Sequence, residues 1–168
     1  MLSAERVIEI LNLRPLEMEG GWFRETYRSE EMMPSDALPS RYRSNKCFST
    51  CIYYLLTPDS FSRLHRVAAD EIFHFHLGDP VVILMLWPDG RSETVEIGPD
   101  LERGMRPQLV APRGVWQGCH LREGGRFALL SCTVAPGFDY SDYESGAREE
   151  LIGQYPDRRQ LIEKLTPA

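Results

Sequence analysis

The chain has 168 residues and a formal charge of −6 at neutral pH. That length predicts one domain, residues 1–168, able to bury a core without disulfide staples. The acidic balance argues against a nucleic-acid partner, which needs a basic stripe to neutralise phosphates, and the longest apolar run, VVILMLW at 81–87, is far too short to span a membrane.

The N-terminal stretch reads as a helix over residues 3–11, with Ser3 as N-cap and Val7, Ile10 and Leu11 on one face. Charge breaks its apolar pattern, so it does not read as a signal peptide. Asn12 and Pro15 end it. Short apolar runs divided by turn residues then continue to about residue 134. In order they are WFRETYR, FSTCIYYLL, FSRLHRV, DEIFHFHL, VVILMLW, RSETVEI, QLVAP, VWQGCHL and RFALLSCTV. PDG at 88–90 marks a hairpin and REGG another tight connection. About nine short strands with almost no helix between them predict an all-β sandwich or barrel. The barrel core is expected over about 15–136. A C-terminal loop and helices, AREELIGQY and DRRQLIEKL, are expected over 137–168. Cys47, Cys51, Cys119 and Cys132 form no C-x-x-C pair. They read as reduced thiols of a cytoplasmic protein.

HRVAADEIFHFH, residues 65–76, concentrates three histidines and a glutamate. Such a set suits a metal, acid–base chemistry, or a half-buried polar strand. Its spacing resembles the first motif of the cupin family, G-x5-H-x-H-x(3,4)-E-x6-G: His65 takes the first histidine position, and Glu71 is followed at the right distance by Gly78. PRGVWQ resembles the second motif, G-x5-P-x-G-x2-H-x3-N, through Pro112 and Gly114. The resemblance implies a jelly-roll β-barrel with short N- and C-terminal helices. Two metal positions depart from the pattern, with Val67 and Gln117 standing where histidines belong. His65, Glu71 and Gln117 would be the ligands if a divalent metal were held. They are a poor set, because a catalytic metal wants three strong protein ligands. No cofactor is therefore expected.

Strand alternation sorts the remaining residues. Glu71, Phe73 and Phe75 share one face, and His74 and His76 take the opposite, outer face. Phe61, Arg63, His65 and Val67 form a second inward set, and Val115, Gln117 and Cys119 a third. Arg63, His65, Glu71 and Gln117 converging with Phe73 and Phe75 predict a ligand cavity. The plainer alternative is a buried Arg63–Glu71 ion pair with His65 beside it.

GGWFRETYR is similar to the G-x-F-x-E-x-F strand of the dTDP-sugar epimerases, through Gly21, Phe23, Glu25 and Tyr27. SRLH resembles their R-G-L-H segment and leads to His65. That resemblance implies Phe23 and Glu25 as ligand-binding residues and His65 as a metal-independent base, with Glu71 its partner. Free imidazole titrates near neutral pH, which suits the role. The tyrosine that stands opposite the base in those enzymes has four candidates here: Tyr53, Tyr54, Tyr140 and Tyr143. Arg24 and Arg28 alternate with Phe23 and Glu25 and are expected to face away from them. Together, GGWFRETYR, DEIFHFHLGDP, PRGVWQG and APGFDYSDYESG resemble small homodimeric cupins without an assigned activity. PGFDYSDYESG is expected to pack on the barrel's outer face, with a lid over its mouth as the alternative. Trp22 and Trp116 are expected to serve packing.

Three functions follow. The first is a metal-independent cupin binding a small polar, sugar-nucleotide-like ligand, with isomerase or epimerase chemistry at His65. The second is a non-enzymatic ligand-binding or sensor cupin. The third is a metal-dependent oxygenase or hydrolase. A homodimer, with exchange of the WFRETYR strand, is expected for the partner.

Overall fold

Two antiparallel sheets face each other and are built from the strands that the turn pattern predicts. The computed structural model describes residues 2–167; Met1 and Ala168, the ends of the expected domain, lie outside the described residues. The strands are β1 (Arg14–Pro15), β2 (Trp22–Arg28), β3 (Met32–Met33), β4 (Lys46–Cys47), β5 (Thr50–Leu56), β6 (Phe61–Arg66) and β7 (Asp70–Gly78). They continue as β8 (Val81–Leu86), β9 (Ser92–Ile97), β10 (Gln108–Ala111), β11 (Trp116–Leu121), β12 (Ala128–Ala135) and β13 (Glu144–Ser145). The nine longer than two residues are the nine predicted runs. The four two-residue strands carry too little pattern to be predicted.

One sheet has the order β1-β2-β5-β12-β7-β10 and the other β13-β6-β11-β8-β9. β3 and β4 pair separately. This is the jelly-roll arrangement. VVILML shows why its strands are apolar on both faces. Val81, Ile83 and Met85 enter the core between the sheets, beside Phe73, Leu130 and Val115. Leu84 and Leu86 point outward, under the helices α2 (Arg148–Gln154) and α3 (Arg159–Lys164), where Leu151, Ile152, Tyr155 and Ile162 bury them. Each such side chain contributes roughly 1.5–3 kcal/mol of burial.

The N-terminal helix α1 (Ala4–Leu11) closes part of the other sheet's outer face, packing Val7 on Leu55, Phe127 and Leu129. Ser3 caps it by accepting from the Arg6 N–H at 3.3 Å, and Asn12 ends it in a left-handed conformation. Ile10 corrects the expected apolar face, since it is 56% exposed and Ile8 packs in its place. Trp22 packs under α1 and Trp116 under α2 and α3, so both serve packing. All four cysteines are free thiols. Among the described residues no helix is long and apolar enough to cross a membrane.

Candidate functional site

The site sits at one end of the space between the sheets, and two β-bulges aim its side chains. In β6 the register against β11 slips: His65 faces Gln117, and Ser62 faces Cys119. Arg63 and Leu64 therefore oppose Gly118 alone. A Cβ at Gly118 would lie 3.0 Å from the Ser62 carbonyl oxygen, so a side chain there would crowd the bulge. The slip turns Ser62 and His65 inward together and corrects the expected Phe61–Arg63–His65–Val67 face. Leu64 goes under the C-terminal helices. The Arg63 side chain leaves the cavity, and its Nη1 donates to the Met18 carbonyl at 3.1 Å. In β2 a second slip between Glu25 and Tyr27 brings Arg28 opposite Thr50. Arg28 thus corrects the outward expectation: it lines the cavity and forks onto Glu25 at 2.7 and 3.1 Å.

The floor of the cavity is a short hydrogen-bond chain. The His65 Nδ1 lies 2.7 Å from the Arg63 carbonyl oxygen, an atom that can only accept. The proton is therefore on Nδ1, and Nε2 carries the lone pair. The Gln117 amide nitrogen lies 3.4 Å from that Nε2 and 2.5 Å from Glu71 Oε2, donating to both. His65, Glu71 and Gln117 are all buried. Glu19, which the sequence reading missed, completes the group. Its Oε1 accepts from the Ser62 hydroxyl at 2.6 Å, and its Oε2 stands 4.0 Å from His65 Nε2. A closed turn over residues 16–21 holds Glu19 there: the Gly20 N–H donates to the Leu16 carbonyl at 2.6 Å, and the Arg63 N–H to the Glu19 carbonyl at 2.8 Å.

Over this floor lies the segment PGFDYSDYESG. It covers the cavity, with Phe138, Asp139, Tyr140 and Tyr143 lining it, which corrects the expected packing on the outer face. β13 at its end pairs with β6, Ser145 opposite His65. That register stacks Tyr143 on the His65 ring, centroids 4.9 Å apart at 18°. Burial, with Glu19 nearby, pushes the Tyr143 phenol up to about 12. It remains a hydrogen-bond donor through the neutral range. Of the other three tyrosines, Tyr140 is at the mouth, Tyr54 is buried with its hydroxyl on the Gly20 carbonyl, and Tyr53 lies on the outer face against His76.

The cavity has a volume of about 190 Å³, and of the catalytic and ligand-binding residues expected from the sequence, His65, Glu71, Phe23 and Glu25 line it. Gln117 is behind His65 and Glu71. Phe73 is in the core proper and Phe75 packs against that core, so neither lines the cavity. His74 and His76 take the outer face, as alternation predicts. His74 contacts Gln108 and Thr133, and His76 contacts Ser131.

Burial, reinforced by Glu19, raises the Glu71 carboxyl above the usual carboxylate range. A raised value means that the folded state binds this proton more tightly than the unfolded one. The stability that Glu71 supplies is present at acid pH and lost as pH rises through the raised value. Glu71→Gln keeps an oxygen for the Gln117 N–H and removes the buried charge. Its melting temperature at pH 7–8 is expected to rise by about 2–4 °C, corresponding to about 1 kcal/mol, with the gain vanishing near pH 4. A melting curve series over pH checks this; a uniform loss at every pH would contradict it.

The donor set does not fit a resident metal. Among the described residues, no group of three or more His, Cys, Asp or Glu side chains is arranged to hold one. Gln117 presents N–H, not oxygen, to His65 and Glu71. Val67, at the other departed position, is a hydrocarbon wall.

Comparison with known proteins agrees with this architecture. The family described as "Cupin superfamily (DUF985)" matches residues 5–146. The uncharacterized protein YML079W of Saccharomyces cerevisiae is 34% identical over 134 residues, 74% of this chain and 66% of the relative's length. The crystal structure of SO0799 from Shewanella oneidensis superposes with a TM-score of 0.87 at 35% identity, covering 99% of each chain. A hypothetical protein from Leishmania major gives 0.86 at 31% identity, covering 99% of this chain and all of that one. Oxalate decarboxylase from Bacillus subtilis shares the fold, at a TM-score of 0.52 and 16% identity over 88% of this chain and 35% of that one. The jelly roll, the retained His65 and Glu71 and these relatives together place the chain in the cupin superfamily, within the group described as DUF985.

Proposed function

We propose that this chain is a metal-independent cupin that binds a small polar molecule in the barrel cavity and uses His65 as an acid–base group. One observation carries the reading. The Nδ1 proton of His65 is held by the Arg63 carbonyl, which leaves the Nε2 lone pair beside Glu19 and Glu71 at the cavity floor. That tautomer is fixed by backbone, so it survives ligand exchange. Nε2 can take a proton from a bound ligand, and Glu71 and Glu19 then stabilise the imidazolium. Gln117 stands where a metal ligand would be and joins His65 to Glu71 instead. Tyr143 shields the ring from water and offers a donor.

The test is the small molecule carried by freshly purified, untagged protein, extracted and identified by mass spectrometry, with elemental analysis alongside. His65→Ala is expected to lose at least about tenfold in occupancy, equal to about 1.4 kcal/mol. Unchanged occupancy and turnover in His65→Ala would end the proposal. Stoichiometric metal that disappears in His65→Ala would replace it with the metalloenzyme reading.

A homodimer accompanies this reading. Among the described residues β1 covers only Trp22 and Phe23, so no strand lies beside the outer backbone edge of β2 from Arg24 to Arg28. Such an edge templates pairing with another chain. β2 itself pairs with β5 of its own chain. Sedimentation at micromolar concentration is expected to show a dimer, and a monomer mass refutes it.

A further inference from the structure

We infer that the cavity selects a small organic cation, an ammonium group on an apolar or aromatic body; this rests on reading the cavity as the ligand site. Two independent features point there. The first is charge. Glu19, Glu25, Glu71 and Asp139 line the cavity, and among the described residues lining it Arg28 is the only guanidinium or ammonium. Arg28 is already committed, forked onto Glu25 and donating to the Phe138 carbonyl at 3.3 Å. A diphosphate entering the cavity would meet carboxylates and no uncommitted cation. The charge lining the cavity is thus opposite to what a sugar nucleotide needs.

The second feature is hydrogen-bond valence. The weakly partnered groups at the floor are acceptors. Among the described residues, the hydrogen-bond contact to His65 Nε2 is a long one, 3.4 Å from the Gln117 amide. Glu19 Oε2 stands 4.0 Å from the same Nε2. A ligand that satisfies this floor must bring donors, and an ammonium brings three with a charge that shortens and strengthens each bond. The walls suit the rest of such a molecule. Phe23, Phe138, Tyr140 and Tyr143 present aromatic surface. A cation beside such rings gains a further attraction.

Four probes separate the possibilities: benzylamine, benzyl alcohol and benzoate, which are close in size and differ in charge, and the larger anion UDP-glucose. Binding is read by calorimetry on the full chain and by the ring nitrogen signals of His65, assigned by their absence in His65→Ala. Benzylamine is expected to bind about tenfold or more tighter than benzyl alcohol, the factor that about 1.4 kcal/mol of charge-assisted bonding supplies. It should move the His65 signals, and benzoate and UDP-glucose should not. Glu19→Gln is expected to reduce the amine-over-alcohol preference several-fold. Glu25→Gln tests the same balance at the mouth without touching the floor, because it releases Arg28 and should admit benzoate. If benzoate or UDP-glucose moves the His65 signals and benzylamine does not, the cation inference falls while the cavity remains the ligand site. If no probe moves them, the cation inference also falls. Occupancy in His65→Ala then decides the function separately.

Discussion

Lys46→Met is expected to cost about 3–5 kcal/mol, the scale measured when one member of a buried ion pair is removed. The Lys46 ammonium lies 2.7 Å from Asp142, and the two side chains are 1% and 7% exposed. Methionine fills the volume of the lysine stem but leaves the Asp142 carboxylate buried without its counter-charge. For a chain of this length the loss lowers the melting temperature by roughly 6–20 °C. The effect extends to the site. Asp142 immediately precedes Tyr143, so the covering segment loses its anchor next to the ring that stacks on His65. The double change Lys46→Met with Asp142→Leu removes both charges and is expected to restore most of the stability, without restoring the register of the segment. A urea midpoint for the single variant equal to that of the parent would show that the pair anchors nothing.

Gly20→Ala is expected to be nearly as damaging, at about 3 kcal/mol or more. Gly20 has φ of +101°, and a Cβ there would stand 2.2 Å from the Phe61 carbonyl oxygen. Neither atom can yield cheaply, because Phe61 is fixed in β6 and the Gly20 carbonyl accepts from Tyr54 at 2.9 Å. Gly90→Ala is the control. Its φ is +89°, but its Cβ would meet nothing within 4 Å. It should lose only the left-handed conformational cost of about 1–2 kcal/mol. Denaturant midpoints for the pair separate contact from conformation, and equal losses would refute the contact argument. Gly20→Ala should also weaken ligand binding, because the turn that it disrupts is what carries Glu19 to the floor.

How far the sequence reveals this molecule depends on whether a feature follows a period. The nine long strands follow alternation and turn chemistry and are legible. Glu71 inside with His74 and His76 outside is legible for the same reason. Arg63 and Arg28 fail where one extra residue enters a strand, since a bulge reverses every side chain beyond it. Gly118 was the available signal, a lone glycine opposite the slip. Glu19 was invisible because it sits in a turn, where no periodicity assigns a direction. Only the closure of Leu16 to Gly21 and the Ser62 hydroxyl make it part of the site. Tyr143 was one of four candidates, and what sets it on the His65 ring is the pairing of β13 with β6, which no periodicity foretells. Phe73 and Phe75 face inward as alternation requires, but inward is not the same as cavity-facing, because the barrel is filled along that stretch.

The floor draws Glu19 from a turn before β2, His65 from β6, Glu71 from β7 and Gln117 from β11, and Tyr143 covers it from the segment leading to β13. β7 belongs to one sheet, and β6, β11 and β13 to the other. No contiguous piece of the chain holds this constellation, and neither sheet holds it alone. Partial openings that separate the sheets abolish it as thoroughly as global unfolding does. A ligand bound there stabilises only the fully docked barrel. Amide protection is then gained wherever exchange requires the sheets to part, as far away as β9, and not just beside the cavity. A molecule bound there would make the two sheets one cooperative unit.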